Sequence, residues 1–203
     1  MLVTDIRKID DKRYCLYIDY EPYASVYPSD IRRLHLKTGE EVGEPVLAQF
    51  RQEYLYKRAL NKAVNSIKFS DKCEYDIRQK LRDLYYDEEI IESTLAKLRS
   101  YGYVDDLRYA CGYIHRHTAK KGARVISYEL AMKHISQEII EQALEDTDMP
   151  DEMETIRRIL IRRYSIADLT DKRQKVLAYM SGKGFNHRKV AECMRELISG
   201  SDE

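Results

Sequence analysis

The sequence predicts a mainly α protein built as three tandem three-helix, helix-turn-helix-like repeats in an elongated curved array, preceded by a small β-rich N-terminal segment. Three observations predict it. From Glu44 onward apolar residues recur at helical spacing. Five apolar columns then return at intervals of 49 and 50 residues. Before that point the chain has short β-branched and aromatic runs separated by turn residues. The division expected is residues 1–43 for the β-rich segment, 44–104 for the first repeat, 105–148 for the second and 149–203 for the third.

Leu2, Val3, Ile6 and Ile9 suggest a first strand, and residues 13–18 a second, with Asp10, Asp11 and Lys12 as the turn between them. Residues 19–22 read as another turn, and residues 23–27 as a third strand. Three short strands do not stand alone and should pack on the helices C-terminal to them. Pro28, Ser29 and Asp30 open a short helix, with Gly39 as its stop. Leu60, Ala63, Val64 and Ile67 share one helical face. Ser70 and Asp71, followed by Glu74, resemble a cap for a helix carrying Ile77, Leu81 and Leu84. Asp87 caps the next, which carries Ile90, Ile91, Leu95 and Leu98 and ends at Gly102.

This pattern then recurs. The columns are Ile77, Ile126 and Val176; Leu81, Leu130 and Met180; Tyr86, Ile135 and Phe185; Ile91, Ile140 and Val190; and Leu95, Leu144 and Met194. The first helix of each repeat recurs with a small drift, so the connection to the second helix varies in length. One such unit is small for independent stability, and neighbours should support one another.

Composition excludes several classes. The chain has 203 residues, with 35 basic and 35 acidic side chains, so it is not a globally basic nucleic-acid protein. No apolar run is long enough for a membrane span, and the first residues do not read as a secretory signal. Cys15, Cys73, Cys111 and Cys193 are far apart and form no CxxC pair, which fits reduced thiols in a cytoplasmic protein. His115 and His117 lie two apart, about 200° around a helix, which is poor geometry for a shared metal. No metal and no cofactor is expected. Asp105 and Asp106 read as the cap of the following helix, and Gly122 as the end of the preceding one. Cys111, Tyr86, Tyr109 and Tyr113 fall in or beside the repeat columns and read as structural.

The charges are segregated although they cancel. Residues 106–133 hold six basic against two acidic side chains, and residues 155–175 hold seven against two. Between them, residues 135–154 hold eight acids and no Lys or Arg. A basic groove could meet phosphates or acidic protein surfaces. The plainer reading is a solvated charged face. Sequence-specific duplex readout is disfavoured, because the third helices of the first two repeats open with acids, at residues 87–92 and at Glu138.

A resemblance enters with the second repeat. Gly102-Tyr-Val-Asp-Asp106, followed by Arg108-Tyr-Ala110, resembles the G-(Y/F)-(L/I)-(D/N)-D-x-x-(F/Y)-A signature of the RecX family. Lys121-Gly122, Ile126, Glu129-Leu130 and Ile135 resemble its K-G-x-x-x-I-x-x-E-L-x-x-K-G-I segment. Residues 70–77 with Lys80-Leu81 are similar to its S-x-x-E-L-x-x-K-L opening. The likeness covers about residues 50–198. It departs at His134, where the family usually has Gly, and at Lys189, in a usually apolar column.

The resemblance implies a non-enzymatic regulator of the RecA recombinase. Such a protein binds the RecA–single-stranded DNA filament in its groove, without sequence preference, and suppresses ATPase, strand-exchange and coprotease activities. The filament contacts expected here are Arg108, Arg116, Lys120, Lys121 and Arg124, then Arg157, Arg158, Arg162 and Arg163. A monomer suffices for groove binding. The alternative is a helical-repeat scaffold that binds only proteins. An enzyme has no convergent nucleophile, base or metal set behind it.

Overall fold

The protein, a computed structural model, is described over residues 1–200. It is mainly helical, with one small antiparallel sheet of order β1-β2-β3. Two compact units divide it, Met1–Asp105 and Asp106–Glu203.

The first unit opens with β1 (Val3–Lys8), β2 (Tyr14–Ile18) and β3 (Glu21–Val26). The β2–β3 turn is only Asp19 and Tyr20, both at positive φ, +50° and +72°. That is the left-handed pair a two-residue hairpin requires. Asp19 also anchors its surroundings, since its carboxylate accepts from the Leu2 amide at 2.9 Å. The sequence places Pro22 in the turn, whereas it lies in β3 opposite Tyr17. β3 is an edge strand, so proline's missing N–H costs no ladder bond there.

Helices α1 (Pro28–Arg33) and α2 (Glu44–Phe50) come next, then a π-helical turn (Arg51–Leu55) that runs into α3 (Tyr56–Ile67). The unit closes with α4 (Glu74–Arg82) and α5 (Glu88–Ser100). The Ser70–Asp71 cap that the sequence suggests lies too early, because α4 starts at Glu74 with Cys73 as its N-cap residue. The sheet does not stand apart. Val3, Leu16, Ile18, Ala24 and Val26 share one core with Leu47, Phe50, Leu55, Ala63, Ile77, Leu81, Ile91 and Leu95. Asp30, with no exposed surface, fastens α1 to α3. Its carboxylate accepts two hydrogen bonds from Arg58, at 2.5 and 2.7 Å, and one from the Tyr27 amide at 2.9 Å. The guanidinium lies 4.8 Å from the Tyr27 ring centroid and 5.9 Å from that of Tyr54, a cation–π setting that suits a half-buried arginine.

The second unit contains α6 (Asp106–His117), α7 (Ala123–Ala131), α8 (Gln137–Asp146), α9 (Glu152–Arg163), α10 (Ile166–Asp171), α11 (Arg173–Gly182) and α12 (His187–Ser199). The short α10 has no counterpart in the three-helix repeat that the sequence predicts. Ser165 and Asp168 form a capping box around its first turn, which lets a six-residue helix persist in the connection between α9 and α11. Ile156, Leu160, Leu169, Val176, Met180, Val190 and Met194 form the core of α9–α12. Gly122 does not end α6. It is the N-cap residue of α7, with φ of −77°.

The repeat columns have a local cause. α4, α7 and α11 end in the same turn, with Tyr85, His134 and Gly184 in the left-handed region at φ of +62°, +57° and +90°. In each, the amide one residue further on reaches back five residues. Tyr86 donates to the Leu81 carbonyl, Ile135 to Leu130 and Phe185 to Met180, at 3.1, 3.3 and 3.2 Å. This is the Schellman ending, which brings the two side chains it joins into hydrophobic contact. Two of the five columns are these paired positions, and all six of their residues are buried. One column member departs: Leu144 is only half-buried, while Ala143 beside it is fully buried.

Candidate functional site

The candidate site lies in the second unit and is built from three of its elements. Residues Arg158, Ile159, Arg162 and Arg163 stand on α9; Tyr179 is on α11, with Lys183 just past its end; and Ala119 and Lys120 lie in the turn after α6. Together they line a cleft of about 400 Å³. Five of the eight lining residues are cations and none is an acid. Arg163 is held by Tyr179: it donates to the phenol oxygen at 3.1 Å and lies 4.2 Å from the ring centroid. Lys183 sits 5.7 Å from the same centroid. Among the described residues none of the five makes an ion pair.

That contrasts with the cations nearby. Lys121 is bound to Glu129 at 2.6 and 2.7 Å, and Tyr113 donates to the same carboxylate at 2.9 Å. Burial alone would raise the Glu129 carboxyl, but the Lys121 and Tyr113 hydrogen bonds outweigh it and hold the carboxyl below its ordinary value. Burial, then the Glu129 carboxylate, pushes the Tyr113 phenol up to about 12. Arg157 pairs with Glu196 on α12. Lys189, in its unusual position, pairs with Glu152 at 2.8 Å, and the same carboxylate accepts from the Asn186 amide at 2.9 Å.

The two sets of basic residues named from the sequence are thus partly merged. Lys120 from the first set joins Arg158, Arg162 and Arg163 from the second. Lys121 and Arg124 instead line a second cleft, of about 760 Å³ and mixed charge, together with Glu152 and His187. Arg124 also donates to the Ser181 carbonyl at 2.8 Å. Arg108 and Arg116 are exposed on α6 and outside both clefts, and Arg157 faces Glu196. Sequence reasoning missed Lys183 and Tyr179. The available signal was their spacing of four on the end of α11, beside a turn already recognised.

A pair of glycines lets the start of α7 approach the turn after α11 closely, in the lining of the larger cleft. The Gly122 amide donates to the Lys183 carbonyl at 2.9 Å. A β-carbon at Gly122 would lie 2.3 Å from the Gly184 carbonyl oxygen, and one at Gly184 would lie 2.8 Å from Val125. Other residues singled out from the sequence are structural. Tyr86 and Tyr109 are buried and Tyr113 half-buried, and Cys111 is half-buried rather than fully in the core. The His117 ring packs edge-on against Tyr113 at 4.1 Å between centroids, and burial, then the Lys121 charge, lowers its pKa. No three metal-ligating side chains gather among the described residues, and no described helix is long and apolar enough to cross a membrane.

Comparison with known proteins places this architecture. The model of the RecX first three-helix domain matches residues 59–98, and that of the second matches residues 105–144. The regulatory protein RecX of Clostridium acetobutylicum is 32% identical, over 96% of this chain and 94% of its own length. The chain belongs to the RecX family. The RecX of Clostridioides difficile is 27% identical over 98% of this chain and 96% of its own. A crystal structure of a regulatory protein RecX matches with a TM-score of 0.61 and 26% identity, covering 96% of this chain and 98% of that one. RecX from Lactobacillus salivarius matches with a TM-score of 0.59 and 25% identity, covering 70% of this chain and 96% of that one. The likeness to RecX relatives therefore spans nearly the full run of elements, sheet included, and not only the helical repeats.

Proposed function

We propose that this RecX protein is a non-enzymatic modulator of the RecA recombinase that binds the RecA–single-stranded DNA filament through the basic side of its second unit. Family membership supplies the regulatory role. The observation that carries the contact is the convergence of Lys120, Arg158, Arg162, Arg163 and Lys183 on one cleft without an acid among its lining residues. Cations so placed attract phosphates or acidic protein surfaces, and they select charge rather than base sequence. Binding across neighbouring RecA protomers in the filament groove would block duplex entry, and it would slow ATP turnover and strand exchange. A monomer is sufficient for this.

Co-sedimentation with preformed filaments, followed by titration of RecA's single-stranded-DNA-dependent ATPase, tests the reading. The expected result is co-sedimentation that weakens with salt, together with loss of ATPase. Absence of both, using RecA from the same source, sinks it. Binding that ignores salt identifies a scaffold that touches protein alone.

A further inference from the structure

We propose that the α9–α11 cleft is also a binding site for a condensed phosphate, meaning pyrophosphate, a longer linear polyphosphate or the phosphate tail of a nucleoside di- or triphosphate. This goes beyond the filament reading and does not depend on it.

Charge is concentrated here in a small volume. Five cations line about 400 Å³, and none is neutralised by an acid among the described residues. Several basic side chains elsewhere among the described residues are compensated by acids. Arg78 reaches Glu74, Glu88 and Glu92, Arg51 reaches Asp87 and Glu89, and Lys121 reaches Glu129. Like charges gathered in one cleft repel, and the fold keeps that cost here. Helix ends offset part of it. The C-termini of α6, α9 and α11 approach the cleft through Lys120, Arg163 and Lys183. Each contributes about half a negative charge, which leaves most of the five uncompensated.

A small, multiply charged ligand balances the remainder within the cleft itself. The volume falls within the range of small-molecule sites, about 300–1,000 Å³. A strand passing the cleft brings one charge per phosphodiester. A condensed phosphate brings at least one per phosphoryl group, and a terminal group carries about −1.5 to −2 at neutral pH. The donors suit it. The three arginines present planar forks for bidentate contact with phosphate oxygens, and the two lysines add compact charges. Arg163 is already oriented by Tyr179, so less freedom is lost when it binds.

Isothermal titration of the full chain with tripolyphosphate, pyrophosphate, ATP, sulfate and a short oligo-dT, all at one ionic strength, tests the proposal. The variants are the double substitution Arg158→Gln with Arg162→Gln, and Arg195→Gln as an exposed control outside the cleft. Circular dichroism confirms that each is folded. Saturable binding of tripolyphosphate at one site is expected. It should weaken at least tenfold in the double variant and stay unchanged in Arg195→Gln. Three results overturn the proposal: no saturable binding, equal binding by the double variant, or binding of oligo-dT alone. Filament co-sedimentation of the same proteins is scored separately. Filament binding without tripolyphosphate binding removes only this site, and the reverse removes only the filament reading.

Discussion

Asp30 and Arg58 show how much one residue pair can decide. The carboxylate has no exposed surface, and the guanidinium keeps about a quarter of its own. Burial would raise the Asp30 carboxyl, but the Arg58 hydrogen bonds, the Tyr27 amide and the Arg58 charge together hold it below 3.8. Removing one partner of a buried pair strands the other. Arg58→Ala should therefore cost the first unit about 3–5 kcal/mol, read from urea melts. The pH dependence has a definite sign. A carboxyl held low in the folded state contributes fully above its unfolded value, near 4, and that contribution disappears as pH falls through the lower folded value. The stability gap between the native protein and Asp30→Asn should thus narrow below about pH 4. A gap that stays constant down to pH 2 would show that the pair contributes nothing through its charge. None of this was legible in the sequence: Asp30 reads there as part of a helix start, and its partner is 28 residues away.

At the scale of elements, the recurring Schellman turn explains why so much of the fold could be read. Its two hydrophobic positions are five residues apart, so the contact is local and leaves a mark in any one sequence. The turn also has a weak point. His134 holds a left-handed conformation that costs a residue with a β-carbon about 1–2 kcal/mol. Glycine removes that cost and loses about 0.5–1 kcal/mol of its own through the unfolded chain. His134→Gly should accordingly raise stability by about 0.5–1 kcal/mol, seen as a higher melting temperature. Gly122→Ala should do the reverse. Its methyl would meet the Gly184 carbonyl oxygen at 2.3 Å, a backbone atom that cannot swing aside, and a loss of about 1–3 kcal/mol is expected in denaturant titration. The elements that stayed illegible did so for equally physical reasons. α10 is too short to show a period, and the π-helical turn breaks the period by which a helix is recognised.

For the whole molecule, a net charge of zero conceals the separation of sign that matters. Four of the five cleft cations were named from the sequence, Lys183 was not, and the grouping of the five was not legible. Lys120, Arg158 and Lys183 come from three elements, and only the packing of the second unit sorts them from Arg157, which pairs with Glu196, and Lys121, which pairs with Glu129. If the cleft meets filament phosphates, Arg158→Gln with Arg162→Gln should flatten the dependence of log affinity on log salt by about 1.4, two contacts at about 0.7 each for a single strand. Lys121→Gln should leave that slope in place, since its charge is already spent on Glu129. Filament binding measured from low to physiological salt reads both.

Length changes are where the π-helical turn between α2 and α3 has its effect. The Tyr56 amide reaches back five residues to Arg51, so this turn carries a residue that an α-helical one would not. The surplus residue acts as a spacer, with Leu47 and Phe50 buried before it and Ala59 and Ala63 after it. Deleting one residue between Arg51 and Tyr54 returns the segment to α-helix with both stripes still in phase. The same deletion within α3 would swing everything before it by about 100° and pull the sheet off its core. A lineage could therefore gain or lose a residue at this turn without refolding the rest, and close relatives would be expected to differ in length there first.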